Sequence, residues 1–215
     1  MLLAEDILLL ITATEKKGRP YVDLLVAGGL LTDLALAGNV RVTESGEATR
    51  RNRVVAVPDA PWPVDPLLSQ AAAQIGEKPQ WWPQSCVEKL AKGEPNRVYE
   101  RLVRAELVSG VEHRVLGLFP TTRWSVIDRR PIDALHKQLD EVFLFGAEPD
   151  LPTAALAAVL SAGRMIVPVL DRGRKVDKHA VKKRAKDLQK QYWTAQALEK
   201  AVQGRDAAAA AAASG

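Results

Sequence analysis

Cysteine is almost absent from this 215-residue chain, where Cys86 stands alone. A lone thiol excludes an internal disulfide framework and a multi-cysteine zinc site, and it suits a reducing intracellular compartment. Histidine is scarce as well. His113, His136 and His179 lie far apart, none in HExxH spacing and none beside a serine or Cys86 in a nucleophile arrangement. Isolated histidines of this kind read as surface or structural residues. No GxGxxG or Walker phosphate loop occurs, and Gly28-Gly29 falls inside an apolar helical run, where small residues permit close packing. The sequence therefore predicts no enzyme, no metal and no cofactor. No apolar run reaches the about 18 residues of a membrane-spanning helix, so any membrane contact is expected to be peripheral. The opening MLLAEDILLL lacks a basic leader and carries Glu5 and Asp6 ahead of its apolar stretch, unlike an export signal. No repeat of about 20 to 50 residues recurs, which argues against a solenoid.

What is present is apolar content for a real core, 47% of the chain, and a slight cationic excess of 30 Lys and Arg over 26 Asp and Glu. An excess that small matters only where charges cluster. The pattern predicts a mainly α fold, a single compact multi-helix domain with two β-hairpins, over residues 1–205, followed by a frayed Ala-rich tail at 206–215. Helices are expected at Met1 to Ile11, at Val22 to Ala37 with Gly38-Asn39 as a stop, and around Leu67 to Ile75 and Val87 to Leu90. One hairpin is expected from VRVTESGEATRRNRVVAV, turning at Ser45-Gly46. A second is expected from VEHRVLGLF and RWSVID, turning at Pro120-Thr121-Thr122. Pro131 should open a helix that ends at Gly146, Asp150 to Ala162 should form another, and a last one should run from Asp177 to Gln203.

The stretch RVYERLVRAELVSGVEHRVLGLFPTTRW holds the sharpest signal. At 100° per residue, Arg97, Arg101 and Arg104 fall within an arc of about 60°, opposite Val98, Tyr99, Leu102, Val103 and Ala105, on a helix expected to end near Ser109-Gly110. Like charges at these spacings cost about 0.2 to 0.5 kcal/mol per pair. Two readings follow: a solvated face with a Glu100 to Arg104 ion pair, or a cationic face that receives an anion.

A second basic feature is the ladder of Arg174, Lys178, Lys182, Lys186 and Lys190, whose four-residue step winds slowly around a helix. It reads either as a solvated helix back or as a peripheral basic stripe that attracts an anionic surface. At the second hairpin, Leu118, Phe119 and Trp124 sit beside Arg123, a mixture suited to a membrane interface or an oligomer contact, against the plainer reading that they pack on their own domain. Trp81-Trp82 poses the same choice, with burial the plainer reading.

LLAEDILLLI, DLALAGNVRV and RVYERLVRAELVSGVEHRVLGLFPTTRW, in that order over roughly residues 1 to 200, resemble the Golgi phosphoprotein 3 family in a compact form similar to its bacterial members. The resemblance implies a mainly helical fold without enzymatic activity. It implies a cytoplasmic peripheral membrane protein binding phosphatidylinositol 4-phosphate or a related anionic lipid, with cytosolic tails of membrane enzymes as partners and a hairpin that supports self-association into a homo-oligomer. The family's lipid pocket takes two arginines three apart on a helix, which match Arg101 and Arg104. It also takes an early tryptophan and a basic residue. No tryptophan stands in GRPYVDLLVAGGLLTDLAL, and Ala27 falls near the basic position, leaving Arg19 as a substitute against its plainer reading as a solvated turn residue. The alternative reading is a nucleic-acid-binding protein in which a basic helix and hairpin act like a winged module.

Overall fold

The computed structural model describes residues 1–14, 21–77, 80–115 and 119–214, with the backbone alone at 113–115 and 119–121. Among these residues the chain forms α1 (Leu3–Ala13), α2 (Val22–Leu36), β1 (Val40–Val42), β2 (Val54–Ala56), α3 (Pro66–Gly76), α4 (Pro83–Leu90) and α5 (Glu94–Arg104). The hairpin β3 (Val108–Val115) and β4 (Phe119–Val126) follows, then α6 (Arg130–Phe143), α7 (Leu151–Ala162), α8 (Ile166–Leu170), α9 (Lys178–Gln189) and α10 (Trp193–Ser214). The expected mainly α architecture with two small antiparallel sheets is what forms.

Several helix starts follow from local chemistry. Asp65 accepts from the backbone N–H groups of Leu67 at 2.9 Å and Leu68 at 3.3 Å, with Pro66 opening α3. Asp150 caps α7 through Thr153 N–H at 2.9 Å, and Asp177 caps α9 through His179 and Ala180, each at 3.0 Å. These side-chain acceptors satisfy donors that a helix start would otherwise leave orphaned. Proline in the first turn of α5, α6 and α7 costs nothing there, because its missing N–H has no helical partner anyway.

The centre of the fold is α2, which packs against α1, α3, α4, α5, α7 and α10. From Leu24 to Leu34 only Asp33 escapes full burial. Each large apolar side chain taken out of water this way contributes about 1.5 to 3 kcal/mol relative to exposure. Such crowding needs small residues, and Gly28-Gly29 supplies them. A Cβ on Gly29 would lie 2.9 Å from the Ala4 backbone, while one on Gly28 would lie 2.9 Å from the end of the Leu198 side chain. The pair is a packing device that lets α1 and α10 close on α2.

Four expectations change. α5 stops at Arg104 and does not continue to Ser109-Gly110, because Glu106 turns left-handed at φ 57° and Leu107 N–H closes on Leu102 O at 2.9 Å. That is a Schellman closure, and Ser109 and Gly110 become β3. In the second hairpin Pro120, Thr121 and Thr122 form no turn; they pair with Arg114, His113 and Glu112 inside the ladder. A two-stranded ribbon has outer edges, where proline's missing donor is tolerated. The last helix is two helices. The backbone tightens through Gln191 N–H to Leu188 O at 3.0 Å and Tyr192 N–H to Gln189 O at 3.2 Å before α10 begins. The Ala-rich segment does not fray but continues α10 to Ser214, in keeping with alanine's top helix propensity. The short α8 was not expected, since a five-residue apolar run with an internal proline carries no helical period.

Acidic groups gather where α1 meets α2. Asp33 accepts the Leu3 N–H at 3.0 and 3.2 Å through its two oxygens, so α2 caps α1. Burial raises Asp33 to about 7 against the opposing pull of its backbone bonds, and burial raises Asp6 to about 6.

Two outcomes are expected. Gly29→Ala should lower stability in urea unfolding by about 1 to 3 kcal/mol, since rigid α1 backbone must move, whereas Gly28→Ala should cost less because a leucine tip can shift. A carboxyl whose folded value is raised stabilises fully below its unfolded value and loses that contribution as pH rises through the folded one. Relative to the parent, Asp33→Asn should therefore gain stability between about pH 4 and pH 8, by as much as about 4 kcal/mol at 1.36 kcal/mol per unit; a flat difference across that window would refute the assignment.

Candidate functional site

α5 presents its arginines in three different states. Val98, Tyr99 and Leu102 face the core, while Val103 and Ala105, expected to join them, are exposed. Arg97 lies 3.4 Å from Glu94, which is itself buried and held above the ordinary carboxylate range by that burial, with Arg97 opposing. Arg101 is 28% exposed and clamped on both sides, Nε to Glu5 Oε1 at 3.0 Å and an Nη to Asp65 Oδ2 at 2.6 Å and Oδ1 at 2.8 Å. Arg104 is 74% exposed and has only the i,i+4 contact with Glu100 at 3.6 Å.

Arg101 therefore links three helices. Glu5 on α1 also accepts the Leu2 N–H at 2.7 Å, and Asp65 also caps α3. Burial alone would raise Asp65, but Arg101 and the Leu67 and Leu68 backbone bonds hold it below the usual carboxylate range. Arg101 and Arg104 thus differ in kind, the first a structural tie whose guanidinium points inward, the second a charge open to solvent.

Two depressions meet along this helix. One, of about 410 Å³, is lined by Asp65, Pro66, Leu67, Arg97, Glu100, Arg101 and Arg104. The other, of about 490 Å³, lies between α5 and the hairpin and is lined by Glu100, Val103, Arg104, Gly110, Glu112, Thr122 and Trp124. Glu100 and Arg104 form their common rim. Trp124, offered by the sequence as an interfacial anchor, stacks on Tyr99 at a centroid distance of 4.0 Å and an interplanar angle of 5°. It stands opposite Gly110, where a Cβ would come within 2.6 Å of its ring. Tyr99 in turn shares a 3.0 Å hydrogen bond with Thr12 Oγ1. Trp124 is thus half-buried packing, not a projecting tip. Leu118, the side chain of Phe119 and the early segment with Arg19 lie outside the described residues.

The ladder is also less free than its sequence suggests. Arg174 pairs with Asp140, Lys178 with Asp171 at 3.8 Å, Lys186 with Glu199 at 2.5 Å and Lys190 with Asp187 at 2.8 Å. Lys182 is exposed without an ion-pair partner among the described residues. The break after Gln189 moreover takes Lys190 out of the helix body.

Other singled-out residues have structural roles. Trp81 donates its indole N–H to Ile75 O at 3.1 Å, whereas Trp82 stays exposed beneath Arg53, whose guanidinium carbon lies 3.2 Å from the ring centroid. Cys86 is buried, which pushes its thiol up to about 12. Ala27, which the resemblance puts near a basic position, is fully buried in α2. Among the described residues no helix is long and apolar enough to cross a membrane, and no cluster of three His, Cys, Asp or Glu could hold a metal ion.

The partners Glu5, Asp65 and Tyr99 were not expected from the sequence. Asp65-Pro66 signals a helix start, but nothing in the chain marks its pairing with an arginine 36 residues on. Removing the tie as Arg101→Met should cost about 2 kcal/mol or more in urea unfolding, because Glu5 is left buried without its cation. Arg104→Gln should stay within about 0.5 kcal/mol, as exposed i,i+4 pairs contribute little.

No individually curated protein matches this chain. The family model for Golgi phosphoprotein 3 (GPP34) matches residues 3–204, nearly the whole folded unit and none of the alanine run. The chain belongs to the Golgi phosphoprotein 3 family.

Proposed function

We propose that this protein is a peripheral membrane protein that binds an anionic lipid headgroup at the exposed edge of α5, without catalysis. Family membership supports a lipid-binding or adaptor role in general; phosphatidylinositol 4-phosphate is the headgroup the family implies. The observation that carries the reading is Arg104, an exposed cation at the shared rim of two depressions, next to exposed Val103 and half-buried Trp124. A guanidinium beside apolar surface suits the boundary between phosphate and acyl chain, where charge and apolar contact add. The Glu100 contact is long and solvated, so a phosphate displaces it at little cost. Arg97 provides a second guanidinium in the same groove, and Arg101 positions the groove wall through Asp65. The cytosolic leaflet, tails of membrane enzymes as partners and self-association through the hairpin complete the proposal.

The nucleic-acid alternative has less support, because four of the five ladder cations are already paired with acids. The test compares co-sedimentation with vesicles containing phosphatidylinositol 4-phosphate, or another anionic lipid, against a duplex DNA titration at one salt concentration. Arg97→Gln with Arg104→Gln leaves the Arg101 tie intact and should weaken vesicle binding at least tenfold, about 1.4 kcal/mol. Arg101→Glu is unsuitable, since it would place a third carboxylate against Glu5 and Asp65. Unchanged vesicle binding by the folded double variant, or tighter binding to DNA than to vesicles, rejects the reading.

A further inference from the structure

A separate cleft lies away from α5. It has a volume of about 540 Å³ and is lined by Ala13 and Thr14 at the end of α1, Arg129 just before α6, His136 of α6, Pro168 of α8 and the turn Asp171-Arg172-Gly173. That volume is in the range of small-molecule sites, which run from about 300 to 1,000 Å³. Arg129 makes no ion pair or side-chain hydrogen bond among the described residues. His136 is 4% exposed, yet its ring also has no hydrogen-bond partner among them. The ring lines the cleft and its nitrogens reach the cleft's solvent, so they are open to something bound there.

The charge balance says what that something is. Arg172 and Arg174 share a single carboxylate, Asp140, and of the two only Arg172 lines the cleft. Of the charged residues lining the cleft, Arg129 and Arg172 are positive and Asp171 is negative, and Asp171 already faces Lys178 at 3.8 Å. Two guanidiniums have several N–H donors each, and an imidazole adds one more; this donor set exceeds what two carboxylate oxygens accept but suits the three terminal oxygens of a phosphate monoester.

We propose that the cleft between α1, α6 and the α8–α9 connection is a second anion site, which binds a phosphate monoester through Arg129, Arg172 and the His136 imidazole. The state of His136 is consistent with this. Burial first, and then Arg172, lowers it to about 4, with Arg129 acting in the same direction and Asp140 and Asp133 opposing. A bound phosphate would reverse the balance by placing negative charge against the ring.

The phosphate group could belong to a soluble metabolite or to a lipid headgroup, and the experiment separates them. Histidine-ring NMR of the full chain, with His136→Asn to assign the signal, is titrated with inorganic phosphate and glycerol 3-phosphate. Both should raise the His136 titration midpoint saturably. Arg129→Gln, an exposed change that the fold tolerates, should weaken that effect at least tenfold, and Arg104→Gln should leave it unaltered. No phosphate-dependent shift at His136, or one that Arg129→Gln leaves unchanged, overturns the site. Phosphatidylinositol 4-phosphate vesicles then identify the source: binding lost in Arg129→Gln places a headgroup in the cleft, and binding retained with the soluble phosphates lost places a metabolite there.

Discussion

A single guanidinium organises one side of this protein. Arg101 reaches from α5 to Glu5 on α1 and to Asp65 at the head of α3, so one cation compensates two carboxylates that each also hold backbone N–H groups. The neighbouring acids show why this matters. Asp6 and Asp33 lie in the same region and are raised by burial, opposed at Asp6 by the N-terminal ammonium, and neither has a side-chain ion pair among the described residues. Without Arg101 the α1 end would be a concentration of buried negative charge with little to oppose it. Both members of the Arg101–Asp65 pair line the groove beside it.

The arginine face is therefore divided in its labour. Its inward member is committed to architecture, and its outward members face solvent, Arg97 beside Glu94 and Arg104 beside Glu100. A helix with three arginines at helical spacing reads as uniform in sequence, yet the three differ in burial, partner and reach. The same lesson holds for the lysine ladder, whose regular spacing conceals partners contributed by α6, α10 and the α8–α9 connection.

Much of the fold was legible because its punctuation is local. Pro131 marks a helix start and Gly38-Asn39 a helix stop by chemistry within a few residues, and α7 begins after Asp150 as expected. What was not legible depends on partners distant in the chain. Pro120-Thr121-Thr122 has turn composition, but the cross-strand register overrode it and brought Trp124 opposite Gly110. Of the site, the α5 arginines were visible from their period, whereas the commitment of Arg101 was not. The α6 cleft left no trace in sequence beyond an isolated histidine, because its residues converge from helices far apart in order.

The stack of Trp124 on Tyr99 and the bond from Tyr99 to Thr12 form a continuous line from the hairpin to the end of α1. Parallel rings in contact resist shear less than they resist compression, while the hydrogen bond resists both. Tyr99 belongs to α5, so a push on the outer strand would reach α1 by way of that helix, and a sideways slide would be absorbed at the rings. The hairpin thus shares one packed line of side chains with α5 and α1, and a change at Trp124 would be felt in both helices.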